Sequence, residues 1–387
     1  MDVIKKILYI TSAFLYCVKG VFAETLEAGK SKFKTVFNFY HQNSNDGAQV
    51  YDNSGREEAN VVEPMFFFQH QVDEYTNVNA QFVLDFWTAA SDTKLDAQTG
   101  ASGGEGIKGQ NRVSGRLGVQ REKGDWSYGG GIGYSSEYDY RSLNGSFNVA
   151  KSFAQKNFTL GFGIQYYMDE VDLFTDLTPP ADANITTGLD RTILATSLTA
   201  TQLLTTRDII QFGINYIKAS DYLESTASSV LISGIREAEQ LPDSRDRYAL
   251  STKWVHGISD TSSLHTSYRY YFDDWEVKAH TVKLAYYLEV NEEDEDYVEL
   301  FFRGHQQDKA EYFAKSFSAT REFMTSDSDL DEFISGEVGV YYSNNVGDKN
   351  WFGFNFENVE WGNGIVMFNR DNGMRYSYIQ TSLGVQF

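Results

Sequence analysis

Polar residues recur at every second position in two stretches of the sequence, Arg112, Ser114, Arg116 and Gln120 in the first and His265, Ser267, Arg269, Tyr271 and Asp273 in the second. A spacing of two places side chains on one face of a β-strand. Charges of both signs that line a pore create a local field, and this field selects small solutes by charge. The chemistry that these residues suggest is therefore the passage of small solutes.

Residues on such faces are the candidates for a pore lining. We expect the lining to include Asp85, Arg112, Arg116, Arg269, Asp273, Lys283, Glu299 and Arg303. His305, Glu337 and Glu357 share the predicted inward orientation. The alternative is a set of ion pairs that fills a closed barrel, although side chains alone do not fill a barrel of sixteen strands.

Three basic residues of this set are predicted to converge. The predicted hairpins set Lys283 opposite Arg303 and bring Arg269 to about the same depth. Like charges at neighbouring positions repel, and Glu299 and Asp273 on the same face would offset only part of this cost. The sequence leaves two interpretations open, an anion-attracting constriction and a neutralised structural network.

Catalysis and metal binding have weaker support. His265 and Ser267 share a face, but residues two apart on a strand are about 6.6 Å apart, which is too far for an unstrained base and nucleophile. The six histidines lack ligand spacing. The acidic run at 327–332 lacks the glycine and the distal glutamate of a calcium loop, so we interpret it as a solvated loop. We therefore expect no catalytic residue, metal or cofactor.

Strands must position these residues, and sixteen segments with alternating apolar and polar residues predict them. They lie near 32–42, 61–72, 77–90, 111–122, 126–137, 140–153, 158–168, 191–204, 209–219, 246–258, 263–274, 277–290, 297–307, 332–343, 351–361 and 374–387. Strands of about ten residues or more cross a bilayer when tilted. The sequence thus predicts an all-β fold, an antiparallel transmembrane β-barrel of about 16 strands.

The two faces of the predicted strands indicate which solvent each contacts. Residues 126–135 place tryptophan, tyrosine and isoleucine on one side and glycine and serine on the other, and residues 158–166 repeat this pattern. A soluble barrel needs its large side chains inside, whereas here the bulky set has only the outside to face. Lipid is the solvent that fits this arrangement.

The connections alternate in length. Short turns such as 121–125, 154–157, 205–208 and 259–262 alternate with long segments such as 43–60, 91–110, 169–190, 220–245 and 308–331. Short periplasmic turns and long extracellular loops are typical of outer-membrane barrels. Two connections on the outer rim, 137–141 and 273–277, are shorter than this pattern predicts.

The long loop at 220–245 contains an apolar run, Val230-Leu231-Ile232, beside charged residues. An apolar run is unusual in an exposed loop. We expect the loop either to fold inward and narrow the pore or to present a contact patch for another protein.

The tryptophans are predicted to form two belts at the lipid headgroups. Trp126, Trp254 and Trp351 lie near the periplasmic ends of the predicted strands, whereas Trp87, Trp275 and Trp361 lie near the outer ends.

The N-terminus and the composition indicate the compartment. Lys5 and Lys6 precede an apolar run and then Val21-Phe22-Ala23, which predicts a signal peptide at 1–23, cleavage near Ala23 and a single barrel domain at 24–387. No later segment is apolar over eighteen residues, which excludes a helical membrane protein. A formal net charge of −21 argues against nucleic acid as a partner.

The C-terminal segment 376–387 alternates strictly and ends on phenylalanine. Its residues Tyr378, Leu383, Val385 and Phe387 resemble the signal by which bacterial outer-membrane barrels are recognised for insertion. An unpaired edge is intolerable in hydrocarbon, so we expect this strand to close against the first.

Residues 240–284, from QLPDSRDRYAL to EVKAHTVKL, and the segment DAQTGASG at 96–103 resemble a bacterial outer-membrane family, domain of unknown function 3570. The resemblance extends over the chain after the signal peptide. It implies a barrel and an outer-membrane location, and it implies no activity or catalytic residue.

These observations favour a porin-like passive channel for small solutes in the outer membrane. The alternative is a non-conducting barrel that docks or exports other envelope proteins, and an outer-membrane hydrolase is a third, weaker hypothesis. Expected partners are outer-membrane lipids, the barrel-assembly machinery and small solutes, with other envelope proteins under the alternative.

Overall fold

A computed structural model describes residues 26–45, 56–91, 110–137, 139–174, 185–225, 229–291 and 296–387. The predicted signal peptide with its cleavage point near Ala23 lies outside the described residues, as does the segment 96–103.

The described chain is almost entirely β-structure. Its strands are β1 (Ser31–Asn45), β2 (Arg56–Gln71), β3 (Thr76–Ser91), β4 (Gln110–Lys123), β5 (Trp126–Ser136), β6 (Tyr140–Phe153), β7 (Phe158–Phe174), β8 (Ile185–Leu203), β9 (Asp208–Asp221), β10 (Ser229–Ile232), β11 (Ile235–Ala238), β12 (Ser244–Gly257), β13 (Ser262–Asp273), β14 (Lys278–Asn291), β15 (Asp296–Gln307), β16 (Phe333–Asn345), β17 (Lys349–Trp351), β18 (Phe354–Arg370) and β19 (Met374–Gln386). A short 3-10 helix spans Ser328–Leu330. Within the described ranges, no helix has the length and apolar character that a membrane span requires.

Sixteen of these strands form one closed antiparallel sheet, with β10, β11 and β17 as additions. Each barrel strand pairs with the next along the chain, and β9 pairs directly with β12. The sheet closes because β19 pairs with β1, from Lys32 opposite Gln386 to Ser44 opposite Met374. The predicted sixteen-stranded barrel is confirmed, including its closure through the C-terminal strand.

The outer surface is apolar along the middle of the strands. Leu117 is 61% exposed and Ile132 is 64% exposed, although both are aliphatic. Glycines 131 and 133 alternate with Ile132 and face the interior. Contact with lipid stabilises each such aliphatic side chain by roughly 1.5–3 kcal/mol relative to water, which explains how the barrel tolerates them outside.

The two rims differ in loop length, as predicted. One rim carries tight turns, such as 124–125 between β4 and β5 and 154–157 between β6 and β7. The other rim carries the connections at 222–243 and 308–332. The even number of strands puts Ser31 and Gln386 together on the rim with tight turns.

The end of the chain departs from the predicted boundaries. The strand predicted at 351–361 is β18, which continues to Arg370 and reaches β19 through a turn of three residues. A bulge between Glu357 and Glu360 shifts the alternation in β18. Glu357 lies opposite Gln386 on the inward face, as predicted, and it pairs with Lys30 at the tight-turn rim, at 2.6 Å.

The prediction of an outer tryptophan belt is also wrong. Trp87 faces the interior, on the same side of β3 as Asp85, and is 3% exposed. Trp275 is 3% exposed within a loop core, where its ring meets Tyr312. Trp361 lies opposite Leu383 near the tight-turn rim, so it joins Trp126, Trp254 and Trp351 there.

The described residues of the loops at 222–243 (222–225 and 229–243) and 308–332 pack together and form a structure that we call the cap. Ile232 bridges to Phe317 and Gln240 bridges to Met324 between the two loops. One apolar core of the cap is formed by Val230, Ile232, Phe317 and Met324. The cap is thus a folded unit, and it belongs to the rim with long loops.

Candidate functional site in the barrel lumen

The predicted pore-lining residues face the interior. In β4, Arg112, Ser114, Arg116 and Gln120 alternate with the exposed Val113, Leu117 and Val119. In β14 and β15, Lys283, Glu299 and Arg303 alternate with the exposed Leu284, Leu300 and Phe302. His305 and Glu337 have the same orientation. The inward orientation of all these side chains is as the alternation predicts.

The lumen has two chemically different walls. The polar wall comprises the inward-facing residues of β3 to β8, which are mainly glycine, serine, threonine, asparagine and glutamine. The aromatic wall comprises the inward-facing residues of β14 to β19 and β1, which include Tyr287, Phe301, Tyr341, Phe368, Tyr376, Tyr378 and Tyr40. Because the two sets occupy opposite arcs of one barrel, they face each other across the lumen.

Amide side chains lie flat on the glycines of the polar wall. A methyl group added at Gly133 would lie 2.8 Å from the Asn144 side chain, and one added at Gly129 would lie 2.0 Å from Gln120 Oε1. Gln120 Nε2 donates to Ser127 at 2.7 Å, and Asn148 Nδ2 donates to Gln120 Oε1 at 3.1 Å. The wall is therefore a network of hydrogen-bonding groups with little bulk.

Rings occupy the corresponding positions on the aromatic wall. Phe368 and Tyr376 stack at 4.3 Å between centroids, and Tyr40 meets Tyr376 at 5.1 Å. The Tyr341 and Tyr378 hydroxyls are 2.8 Å apart, which is a hydrogen bond. These rings narrow the lumen from one side.

The predicted basic cluster is present at the edge of the aromatic wall. Lys283 lies opposite Arg303, and Arg269 lies opposite Thr281, two residues from Lys283. Lys283 Nζ is 3.5 Å from Glu299 Oε1 and 4.2 Å from the Phe301 ring centroid. Among the ion pairs of the described residues, none includes Arg269 or Arg303. Glu337 lies opposite Arg303 and Glu299 lies beside Lys283, so acidic groups offset only part of the positive charge of the cluster.

Two of the predicted acidic residues are neutralised elsewhere. Asp85 pairs with Arg112 at 2.5 Å across β3 and β4. Asp273 pairs with Arg245 at 2.5 Å and accepts a hydrogen bond from Tyr271 at 2.6 Å. The prediction that Asp273 offsets the charge of the basic cluster is wrong, because Asp273 lies at the outer end of β13, where its carboxylate binds Arg245 and Tyr271.

The histidine with a candidate nucleophile on its own face does not pair with it. His265 Nε2 lies 3.2 Å from the Ser263 hydroxyl, and its ring stacks on Tyr287 at 4.3 Å. The Ser267 hydroxyl has no hydrogen bond within the described chain. The geometry thus gives the weak hydrolase hypothesis no base–nucleophile pair at these residues.

Three inward-facing side chains hold the cap in the outer half of the lumen. Arg191 Nε and Nη2 donate to the Tyr222 and Glu224 carbonyls at 2.5 and 2.7 Å. Gln307 Nε2 donates to the Asp329 and Asp331 carbonyls, each at 2.8 Å. Arg370, also inward-facing, donates to Asp329 Oδ1 at 2.9 Å and to the Ser328 carbonyl. The cap therefore fills part of the lumen.

The apolar run of the cap is buried. Val230 is 0% exposed and Ile232 is 9% exposed. Of the two expectations for this loop, inward folding is the one observed, and the run is not an exposed contact patch.

Two carboxyl groups are buried in the cap. Glu239 accepts hydrogen bonds from the Thr325 hydroxyl at 2.6 Å and from the Ser225 amide at 3.0 Å. Burial, with a contribution from nearby Asp327, raises the pKa of Glu239 to about 8. Burial also raises the pKa of Asp329 to about 6, although Arg370 opposes this shift.

The inner half of the lumen is accessible. Gln81 of the polar wall and Lys253 of β12 both face inward and are exposed. Side chains that face the inside of a closed barrel reach solvent only if the lumen contains water. The middle of the barrel therefore has space for water beside these side chains.

The family described as Protein of unknown function (DUF3570) matches residues 104–360. The chain belongs to this family. The match contains the segment 240–284 and begins after 96–103, so it lends no support to the likeness drawn from that second segment. A comparison with curated proteins gives no significant match.

This DUF3570 protein is also similar to solved structures. One is described as a bacterial polysaccharide outer membrane secretin (8% identity, 94% of this chain and 100% of the other, TM-score 0.49). Another is OccK9 (OpdG) of Pseudomonas aeruginosa (9% identity, 93% and 98%, TM-score 0.45). A third is a FadL homologue of Pseudomonas aeruginosa (10% identity, 94% and 90%, TM-score 0.40).

Sequence reasoning missed several basic residues of the DUF3570 lumen. Lys253 faces inward beside the basic cluster, because Lys253 and Lys283 both pair with Ser267. The alternation of β12 carried this signal. Arg370 was missed for another reason, since the predicted strand ended at 361, nine residues before it.

Proposed function

We propose that this DUF3570 barrel is a porin-like passive channel for small solutes in the bacterial outer membrane. The observation that carries the proposal is the exposure of inward-facing Gln81 and Lys253 in the middle of the barrel. A barrel of sixteen strands is wide enough for an aqueous path. The cap contacts β8, β15 and β18, so the path runs beside it along the polar wall.

The proposed channel prefers anions. Arg269 and Arg303 face the lumen with no ion pair in the described chain, and Lys253 adds a further positive charge. Positive groups that line a narrow path attract anions more strongly than they would in bulk water. The acidic net charge of the protein, −21, resides largely outside this cluster.

Outer-membrane lipids and the barrel-assembly machinery are the proposed partners for insertion. Ile379 and Phe387 are 55% and 48% exposed on the lipid face of β19, and Phe387 meets Phe356 at 6.3 Å. Leu383 and Val385 alternate onto this face, where Val385 is covered by its neighbours and is 7% exposed, whereas Tyr378 faces inward. We propose that the lipid-facing residues form the insertion signal.

The docking alternative loses support from the burial of Val230 and Ile232, which removes its predicted contact patch. Solute uptake by liposomes that contain the refolded protein tests the channel. We expect the liposomes to swell in small anionic and neutral solutes and to swell more slowly in cations of equal size. Liposomes that swell no faster than protein-free controls in every solute would contradict the proposed channel.

A further inference from the structure

A cavity of about 150 Å³ opens from the polar wall into the lumen. Its polar lining consists of Gln81, Ser114, Arg116, Ser135, Asn144 and Gln165, with Tyr167 at one side. The lining holds one cation and no carboxylate. A cavity of about 150 Å³ holds a six-membered ring in other proteins, so this recess has the size of a single ring.

Glycine and a tethered arginine define the shape of the recess. Gly133 lies in its floor, and a methyl group there would lie 2.8 Å from the Asn144 side chain. Arg116 Nη2 donates to the Ser146 hydroxyl at 2.7 Å, which holds the guanidinium against the wall. The recess therefore depends on the strand pairing of β3 to β7 and is part of a rigid element.

Several lining groups have unused hydrogen-bonding capacity. Gln165 is 7% exposed, yet its side-chain amide makes no hydrogen bond within the described chain. The Gln81 and Asn144 amides and the Ser114 and Ser135 hydroxyls also make no hydrogen bond within the described chain, although these side chains are less buried than Gln165, and Gln81 is exposed. Leaving a buried polar group without a partner costs about 1–3 kcal/mol, so buried polar groups normally have one. Groups of this kind, directed into one cavity, are suited to bind a polar ligand.

We propose that this recess is a binding subsite for an acidic monosaccharide, that is, a hydroxylated six-membered ring with one carboxylate. The inference rests on the proposed channel, because the solute must reach the middle of the lumen. Arg116 pairs with the carboxylate through charge-assisted hydrogen bonds. The amides and hydroxyls donate to and accept from the ring hydroxyls, and Tyr167 packs against the ring. A purely apolar anion would leave those amides without partners.

Calorimetric titration of the refolded, full-length protein in detergent tests this subsite without requiring conduction. The probes are galacturonate, galactose, which lacks the carboxylate, and benzoate, which lacks the hydroxyls. We expect saturable binding of galacturonate, and binding at least about tenfold weaker for each of the other two. Equal binding of galactose would overturn the role of the charge, and equal binding of benzoate would overturn the role of the hydroxyls.

Variants locate the site. Arg116→Gln should weaken galacturonate binding by at least about tenfold and leave galactose unchanged. The matched control is Arg121→Gln, which removes the same charge from the same strand outside the recess, and it should bind like the wild type. Gly133→Val fills the recess and should abolish binding, provided that the variant still migrates faster unboiled than boiled in detergent gels.

The results separate the two proposals. Binding without liposome swelling retains the subsite and rejects the channel, whereas swelling without galacturonate binding rejects the subsite alone. Galacturonate binding that is unaffected by both Arg116→Gln and a folded Gly133→Val would also overturn the subsite.

Discussion

On both the polar and the aromatic wall of the lumen, inward-facing glycines are covered by side chains of the neighbouring strand, but the type of side chain differs. On the polar wall, Asn144 lies over Gly133 of the neighbouring strand. On the aromatic wall, Tyr341 lies over Gly364, where an added methyl group would come within 2.1 Å of the ring, and Phe301 lies over Gly339 at 2.2 Å. In each pair, glycine lets a flat side chain from the adjacent strand cover the backbone.

The difference between the walls lies in what the flat side chain offers to the lumen. The amides of the polar wall present hydrogen-bond donors and acceptors to the lumen. The rings of the aromatic wall occupy volume in the lumen, and at the edge of this wall the Phe301 ring contacts Lys283, which lies opposite Arg303. The cap takes hydrogen bonds from β15 and β18 on the aromatic side and from β8 at the edge of the polar wall. The cap is thus held by the aromatic side and by β8, and the path that we propose lies along the rest of the polar wall.

The largest expected effect comes from removing the support of the cap. Arg370→Ala leaves the Asp329 carboxylate buried without its partner, and losing one member of a buried pair costs about 3–5 kcal/mol. Maleimide labelling of a cysteine introduced at Val230 measures cap opening, because Val230 is 0% exposed and Cys17 of the predicted signal peptide is the single cysteine of the sequence. We expect labelling to accelerate at least about tenfold.

The control for Arg370→Ala is Arg375→Ala. Arg375 is exposed, and among the described residues its guanidinium donates only to Asn369, at 3.1 Å. Labelling at the wild-type rate in the Arg370→Ala background would show that this arginine does not hold the cap.

A smaller effect is expected from the glycine that accommodates Tyr341. Gly364→Ala must displace the ring and break its hydrogen bond to Tyr378, and overpacking of this kind costs about 1–3 kcal/mol. Gly145→Ala is the matched control, because a methyl group at Gly145 would meet nothing within 4 Å. Urea unfolding in lipid vesicles measures both variants. Equal stability of the two would mean that the ring and the glycine are not coupled.

The pH dependence of the cap is expected to be smaller again. Because burial raises the pKa of Glu239 from its ordinary value of 4.5 to about 8, the closed cap binds more protons than the open cap between these values. The free energy of opening therefore falls as pH rises from about 4.5 to about 8 and is constant above that range. Labelling at Val230→Cys should rise over this range, relative to an exposed Lys309→Cys control that corrects for thiol ionisation. Glu239→Gln should remove most of the dependence, and an unchanged dependence would assign it to another group.

The smallest effect concerns ion selectivity at the aromatic edge. Changing Arg269, Lys283 and Arg303 together to Gln should raise the cation-to-anion permeability ratio a few-fold at low salt, where screening is weak. The control changes three arginines at the rims, Arg121, Arg141 and Arg207, which pair with carboxylates there. An unchanged ratio in the folded, conducting lumen variant would rule out the constriction.

The alternation of apolar and polar side chains was sufficient to predict the barrel, its closure by β19 and the position of Lys283 opposite Arg303 on the neighbouring strand. It was sufficient because a strand in lipid must direct its apolar face outward. It was not sufficient for β18, where the bulge near Glu357 interrupts the period of two. The packing of the cap could not be predicted from the alternation of side chains either. Its contacts join residues that are far apart in sequence, such as Gln240 and Met324, and local pattern does not encode them.

For the site residues too, the sequence predicts which face of the strand they occupy but not which groups they contact. Alternation places Asp85 and Arg112 on the correct face, but their neutralisation by each other depends on register and side-chain geometry. The recess at Arg116 depends on glycines in a neighbouring strand and on an absence of partners for Gln165, which a single strand does not reveal.

Single-channel conductance of the refolded protein in planar bilayers tests the central claim, an open path along the polar wall, most directly. We predict discrete conductance steps in the wild type, larger steps in Arg370→Ala, in which the cap is released, and smaller steps in Gly133→Leu, in which the polar wall is filled. A wild type without conductance, or a folded Gly133→Leu variant with unchanged steps, would contradict the account.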